Sequence, residues 1–183
     1  MRNTFLFFVL LFAYKSFDSF ANDPYKVPKT PGLANAYGYY NVKEFVINND
    51  TIPYSKTDPL RWQDVVFEKW STLTIKSNRP VKIDFSSGEV AAEKDIDRNY
   101  ELAGFAGRHY FYYDADTVHQ TLALQNKNIH HRNEKMFLHY VFPNDSTILL
   151  NGINENKDSV HVVLSRINKK YMMFEGRRKP VKI

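Results

Sequence analysis

The stretch NIHHRNEKMFLHY, residues 128–140, has the residue types of a metal site: His130, His131, Glu134 and His139, three of the chain's six histidines among them. Imidazole nitrogens and carboxylates are common zinc ligands. On a strand, the adjacent His130 and His131 would point to opposite faces, so both could bind one ion only from a loop. The surrounding Asn and charged residues predict a solvated loop between two strands. A metal-dependent hydrolase built on His130, His131 and Glu134 is the minority alternative.

A dense aromatic run, HYFYYDA at residues 109–115, is the strongest candidate for ligand binding. Strand alternation places His109, Phe111 and Tyr113 on one face and Tyr110 and Tyr112 on the other, with His109 near a barrel mouth. Tyrosines that line a barrel would offer apolar rings with hydroxyl tips, which suit a small apolar or amphipathic ligand. The alternative is a filled interior in which the rings only pack.

Trp62 and Trp70 complete the candidate ligand-binding set. Their spacing of eight residues puts them on the same face of a strand, provided that the strand is unbroken between them. We expect them in the core or at an end of the barrel.

Other kinds of chemistry are disfavoured by the residue types. The chain has no cysteine, which excludes disulfides, thiol nucleophiles and thiolate metal sites. Its serines lie in turns and at strand edges, without a Gly-x-Ser-x-Gly elbow. The carboxylate pairs Asp95/Asp97 and Asp114/Asp116 lack the glycine and distal glutamate of a calcium loop, and predict capped turns. We therefore expect neither enzyme activity nor a cofactor.

The elements that must position these residues are short strands. Alternating apolar and polar residues, separated by Asn, Asp and Gly turns, predict roughly eight to ten strands. One is expected before the turn Asn48-Asn49-Asp50, and another where Val81, Ile83 and Phe85 alternate with Lys82, Asp84 and Ser86. An all-β fold follows, an antiparallel up-and-down meander closing into a lipocalin-like barrel, with a β-sandwich as the alternative.

Two segments have other expectations. Residues 89–104 are predicted to form a short helix or a charged hairpin, and residues 170–176 a last strand.

The N-terminus predicts export. Arg2 precedes the nine apolar residues 5–13, and Ser19-Phe20-Ala21 forms a small-x-small cleavage pattern. Residues 1–21 are thus interpreted as a signal peptide, with a short membrane anchor as the alternative, although the apolar run falls short of the roughly 20 residues that span a bilayer. Residues 22–37 are interpreted as a Pro-rich linker and 38–183 as a single β-barrel domain.

The charge of the chain and its expected export limit the classes of molecule that it can be expected to bind. A formal net charge of +5 favours anionic partners, but an exported domain is not expected to meet nucleic acid. The expected partners are a small hydrophobic ligand, an envelope protein, or an anionic membrane surface contacted by Arg177, Arg178 and Lys179. A cysteine-free exported chain is typical of a bacterial periplasm or envelope.

The chain resembles a known family over about 150 residues. The segments NDPYKVPKTPGLANAYGYYNVKEFVINNDTIP and TDPLRWQDVVFEK resemble the soluble tail that follows the last membrane helix of some DoxX-family membrane proteins. The resemblance continues more loosely through FPNDSTILLNGINENKDSVHVVLSRINKKYMM. It implies an envelope-associated, non-catalytic, lipocalin-like barrel. The DoxX membrane helices are missing from the sequence, so the redox role of that membrane part does not transfer.

Overall fold

A computed structural model describes residues 2–22, 28–86, 94–98 and 102–167. One helix, α1 (Arg2–Asn22), comes first. The strands that follow in the described ranges are β1 (Gly38–Ile47), β2 (Asp50–Thr51), β3 (Asp64–Phe67), β4 (Thr72–Lys76), β5 (Arg108–Asp116), β6 (Thr121–Asn126), β7 (Lys135–Asn144), β8 (Thr147–Ile153) and β9 (Ser159–Arg166). Single 3-10 turns lie at Asp95–Asp97, Phe105–Gly107 and Ile129–His131.

The strands form a closed antiparallel barrel. The sheet order is β2-β1-β3-β4-β5-β6-β7-β8-β9, and β1 also pairs with β9, which closes the sheet on itself. β1 pairs through residues 38–41 with β3 and through residues 40–47 with β9. The short β2 pairs only with the end of β1, so the closed barrel has eight strands and β2 is an extra one. The predicted up-and-down barrel is confirmed.

The core lies inside the barrel because each strand turns alternate side chains inward. In β5 the burial alternates along the strand, with His109, Phe111 and Tyr113 buried and Tyr110 and Tyr112 partly exposed. The largest fully buried side chains come from all eight strands of the closed barrel and are Tyr40, Tyr113, Phe45, Phe67, Phe111, Leu73, Leu122, Leu124, Leu138, Ile148, Leu150 and Leu164. Burial of apolar surface of this kind is the main stabilising contribution.

The turn predicted at residues 48–50 is confirmed. Asn48 and Asn49 adopt φ angles of +50° and +71°, between β1 and β2. Asparagine tolerates this left-handed region because its short polar side chain can hydrogen-bond to the nearby backbone.

Residues 28–37, which the sequence interpretation assigned to a linker, pack against one end of the barrel, and we call them the plug segment. Leu33 and Ala36 are buried in the core, at 7% and 0% exposure. Pro31 forms a bridge with Trp70, and the Ser71 backbone N–H donates to the Thr30 carbonyl at 3.1 Å. The folded unit therefore begins before Gly38. This packing could not be predicted from the sequence pattern, because prolines and turns interrupt the hydrophobic periodicity by which a buried strand is recognised.

The strand predicted around residues 81–86 is wrong. This segment belongs to no strand, and its burial is inverted: Asp84 is 2% exposed while Phe85 is 69% exposed. The Asp84 carboxylate accepts hydrogen bonds from the backbone N–H groups of Ser86 and Ile129, at 2.9 and 3.1 Å. The buried Asp84 carboxylate thus connects its own segment to the loop at Ile129. This use of Asp84 explains why the alternating apolar residues do not form a strand.

Three other expectations fall on or near the undescribed ranges. Within residues 89–104, the 3-10 turn Asp95–Asp97 is the one regular element described. The predicted strand at 170–176 and the basic residues Arg177, Arg178 and Lys179 lie outside the described residues.

Candidate functional site at the mouth of the barrel

The predicted ligand-binding residues separate into three groups. His109, Phe111, Tyr113 and Trp62 point into the barrel or its mouth, where all four are buried. Tyr110 and Tyr112 lie on the outer face of β5, as alternation predicted.

Trp70 lies at the plug end of the barrel, partly buried beside Pro31. It does not share a strand face with Trp62, because β3 occupies only Asp64–Phe67 and ends between the two tryptophans.

Aromatic side chains fill the interior near the plug segment. Phe67 packs edge-on against Tyr40 and Tyr113, with ring centroids 5.8 and 6.2 Å apart. Both tyrosine hydroxyls already have protein partners: the Tyr113 hydroxyl accepts the Leu33 N–H at 2.7 Å, and the Tyr40 hydroxyl donates to the Ala36 carbonyl at 2.8 Å. Burial raises the pKa of both tyrosines, so the hydroxyls stay neutral. The tyrosine hydroxyls, which were expected to face a ligand, instead form hydrogen bonds with the plug segment.

A small cavity remains at the opposite end, which we call the mouth. Its volume is about 30 Å³. The lining includes Trp62, Ser77, Arg79, His109, Phe111 and Glu155. A cavity of this size has room for about one water molecule, whereas ligand pockets are usually about 300–1,000 Å³.

His109 lies at this mouth, as the sequence indicated, and is 4% exposed. Its Nε2 and the Ser77 Oγ are 3.0 Å apart and share a hydrogen bond. Burial, and to a lesser extent the positive charge of Arg79, lower the pKa of His109 to about 4, against the opposing effect of Glu134. The imidazole is therefore neutral at neutral pH. A Ser-His pair with so weak a base has little power to activate a nucleophile.

An ion-pair network borders the cavity. Arg79 Nη2 lies 2.9 Å from Glu134 Oε2, and Arg79 Nη1 lies 2.8 Å from Glu155 Oε1. Glu134 also accepts from Asn126 Nδ2 at 2.9 Å. Burial raises the pKa of Glu134, but the hydrogen bonds from Arg79 and Asn126 more than offset this, so the pKa lies below its ordinary value. This network joins loops that the sequence separates by more than 50 residues.

The histidine-rich stretch is the predicted loop between β6 and β7. His131 Nδ1 lies 2.9 Å from Glu134 Oε1, whereas His130 is exposed. Arg79 donates to both carboxylate oxygens of Glu134. Asn126 also donates to Oε2, and His131 Nδ1 shares a hydrogen bond with Oε1. Within the described ranges, no three His, Cys, Asp or Glu side chains are grouped to hold a metal ion.

A buried charged cluster on the outside of β5 was missed by sequence reasoning. Lys127 is 5% exposed, its Nζ lies 3.5 Å from Thr72 Oγ1, and burial lowers its pKa to about 8. Nearby, Asp95 pairs with Arg98 at 2.9 Å and accepts the Thr30 N–H at 2.6 Å. Asp95 therefore connects the plug segment to this cluster. No spacing rule in the sequence pairs Thr30 with Asp95, because the contact spans 65 residues.

The comparisons with known proteins add little to this geometry. No family model matches the chain, and no curated protein matches its sequence. Among solved structures, the chain is similar to a redesigned beta barrel, with a TM-score of 0.39 and 11% identity, over 74% of this chain and 94% of that one. The barrel architecture given above rests on the strand pairing of this chain itself.

Proposed function

We propose that this chain is an exported, envelope-associated β-barrel domain that acts through its outer surface, without catalysis and without a ligand in its interior. The observation that carries the proposal is the filled barrel. The tyrosine hydroxyls bind the plug segment, and the mouth cavity has a volume of only about 30 Å³. Of the two alternatives left open by the aromatic run, this geometry favours the structural or protein-contacting domain.

The N-terminal helix supports the envelope location. Asn3–Ala21 is a 19-residue stretch with a mean hydropathy of 1.4, none of it buried against the rest of the chain. A signal sequence and a membrane anchor both have these properties, and roughly 20 apolar residues are needed to cross a bilayer. The resemblance to the soluble tails of DoxX-family proteins supports the same arrangement, a barrel that follows an apolar helix.

The outer wall of β7, β8 and β9 offers a surface for a partner protein. Phe137 and Ile153 are paired across β7 and β8 and are 55% and 50% exposed. Further along the same wall, Val141, Leu149 and Val163 form a row of partly exposed apolar residues. Exposed apolar side chains that cluster on one wall are typical of interaction surfaces.

The filled interior can be tested with a matched pair of proteins. Phe111 is fully buried and lines the mouth cavity, so Phe111→Ala should enlarge that cavity. Fluorobenzene, followed by its ¹⁹F NMR signal, should bind saturably to the variant and not to the wild-type chain. Phe111→Leu is the milder variant to use if Phe111→Ala does not fold. Saturable binding to the wild-type interior, visible as shifts of the Leu73 and Leu124 methyl signals, would contradict the proposal.

The location is tested separately, in the producing cell. We expect the mature protein in the envelope fraction, and a variant carrying Leu10→Asp and Leu11→Asp in the cytoplasm. Leu60→Asp is the control, because Leu60 is an exposed leucine of the barrel domain. The N-terminal mass of the exported protein separates a cleaved signal from a retained anchor. Recovery of the intact wild-type chain from the cytosol would contradict export.

A further inference from the structure

A second concave site lies on the outer wall of the barrel, separate from the mouth cavity. It is an open groove of about 510 Å³ beside β1, where the ladder between β1 and β3 ends. We call it the β1 groove and define it by its lining residues Tyr39, Asn41, Val42, Lys43, Tyr54, Arg61, Gln63, Asp64 and Lys76. Its volume falls within the range of about 300–1,000 Å³ that is usual for small-molecule sites.

Arg61 is the unusual residue of the β1 groove, since it is a charged side chain only 2% exposed. Its Nη1 donates to the Trp62 carbonyl at 3.0 Å and its Nη2 to the Val42 carbonyl at 3.3 Å. The Nε of Arg61 is buried and has no hydrogen-bond partner among the described residues. A buried charge is normally paired with an opposite charge, because leaving it unpaired is costly. Carbonyl oxygens satisfy only part of this guanidinium and do not neutralise it.

The fold holds the Arg61 backbone firmly in this position. The Asp58 carboxylate accepts the backbone N–H groups of Leu60 and Arg61, each at 2.8 Å. The guanidinium carbon lies over the ring of Tyr54, 5.8 Å from the ring centroid, and Tyr54 is itself 64% exposed. Arg61 is thus placed in advance, beside an aromatic side chain that solvent can reach.

The lining of the β1 groove carries more cations than carboxylates. The Asp58 carboxylate, outside this lining, also interacts favourably with the charge of Arg61, but burial is the larger effect and leaves the pKa of Arg61 below its ordinary value. Lys43 and Lys76 line the same groove, and Lys43 sits where the pairing between β1 and β9 shifts register. The acidic lining residue, Asp64, is already engaged by Arg108, at 2.9 and 3.4 Å in a bidentate pair. An anion entering the β1 groove would therefore meet three cations, with the one carboxylate of the lining neutralised.

We propose that the β1 groove binds a phosphate-type oxyanion through Arg61, Lys43 and Lys76. Guanidinium groups bind phosphate oxygens with short, charge-assisted hydrogen bonds, and lysines add positive charge nearby. The group could be carried by a soluble phosphorylated molecule or by an anionic lipid headgroup, which share this chemistry. The site does not depend on whether the barrel interior is filled.

The test uses the full chain in micelles of dodecyl maltoside, a detergent without phosphate. The readout is the Arg61 Nε–Hε NMR signal, assigned by its loss in Arg61→Lys. Inorganic phosphate should shift this signal saturably, with a dissociation constant of about 1 mM or below, whereas chloride at matched ionic strength should not. Short-chain phosphatidylglycerol, compared with phosphatidylcholine, forms the second arm. Tighter binding of the anionic lipid than of phosphate identifies a headgroup site, and the reverse identifies a soluble ligand.

Matched variants make the test specific. Lys43→Gln and Lys76→Gln should each weaken phosphate binding about threefold to tenfold, because each removes one charge near the anion. Neither lysine is buried, so both variants should fold. Lys135→Gln removes an exposed lysine of β7, on another wall of the barrel, and should leave binding unchanged. The proposal is overturned if neither phosphate nor phosphatidylglycerol shifts the Arg61 signal saturably, or if Lys135→Gln weakens binding as much as the groove variants do.

Discussion

The two ends of the barrel are closed in different ways. At the plug end, the hydroxyls of Tyr40 and Tyr113 hydrogen-bond to the backbone of the plug segment, above a packed cluster of rings. At the mouth, Arg79, Glu134 and Glu155 form an ion-pair network beside a buried neutral histidine. The two tyrosine hydroxyls of the plug end do not titrate between about pH 3 and 8, whereas the mouth contains His109, whose pKa is about 4. We expect acid to weaken the mouth first and the loss of packing to weaken the plug end first.

The largest expected effect comes from breaking the plug end. Phe67 is fully buried and packs on both plug-binding tyrosines. Phe67→Ala should lower the free energy of unfolding by about 3–5 kcal/mol, through lost apolar burial and the cavity left behind. Urea unfolding followed by circular dichroism measures this loss.

Phe137→Ala is the matched control for Phe67→Ala, since Phe137 lies on the outer wall and is 55% exposed. It should cost under about 1 kcal/mol. Equal losses of unfolding free energy in Phe67→Ala and Phe137→Ala would show that packing at the plug end contributes no more to stability than an exposed ring on the outer wall.

The second-largest expected effect is a pH dependence of the free energy of unfolding, which arises from residues at the mouth. The pKa of His109 is about 4 in the folded chain, whereas the ordinary pKa of a histidine side chain is 6.5. Between these two values the unfolded chain binds more protons, so stability is fully present above about pH 6.5 and falls as the pH drops toward 4. We expect a loss of about 2–3 kcal/mol over this window. Urea midpoints measured at several pH values between neutral and about 4 test it.

His109→Gln should flatten this pH dependence, whereas His139→Gln, which removes an exposed imidazole from β7, should leave it in place. Glu134 contributes with the same sign but at lower pH, because the depressed pKa of its carboxylate is reached only below its ordinary range. An unchanged slope in His109→Gln would assign the acid sensitivity to the carboxylates instead.

The smallest effect isolates one hydrogen bond of the plug end. Tyr113→Phe removes the hydroxyl that accepts the Leu33 N–H and leaves that buried donor without its partner. The free energy of unfolding should fall by about 1–2 kcal/mol, with no change between pH 4 and 7. Amide hydrogen exchange at Leu33 should quicken well before that of the β7 and β8 amides.

Tyr112→Phe provides the comparison for Tyr113→Phe. The Tyr112 hydroxyl donates to Asp114 on the exposed face of the same strand. The side chains of Thr30 and Ser71 are also hydrogen-bond partners of this hydroxyl, so its loss should cost about 0.5–1 kcal/mol, less than the loss of the buried Tyr113 hydroxyl. A pH-dependent effect of Tyr113→Phe would remove the distinction drawn between the two ends.

Sequence reasoning succeeded where the structure depends on neighbouring residues. The alternation in β5, the left-handed turn at Asn48 and Asn49, and the loop at His130 and His131 were all predicted correctly. In each case the relevant information lies within a few residues: side chains alternate along a strand, and asparagine tolerates positive φ.

It was less successful where local pattern and long-range contact disagree. Val81, Ile83 and Phe85 alternate like a strand, but the buried Asp84 carboxylate binds loop backbone instead. The residues of the β1 groove were also missed as a set, because Arg61 and Val42 are 19 positions apart and meet only after the sheet forms.

The sequence by itself determined the short strands, their inward and outward faces, the turn chemistry and the apolar N-terminal segment, since all of these follow from local sterics and periodicity. Tertiary structure alone decided that β1 pairs with β9, that the plug segment takes up the tyrosine hydroxyls, and that the interior is filled. The physical reason is that a closed barrel has a fixed internal volume. Whether side chains fill it depends on how they pack together, and this no single stretch of sequence specifies.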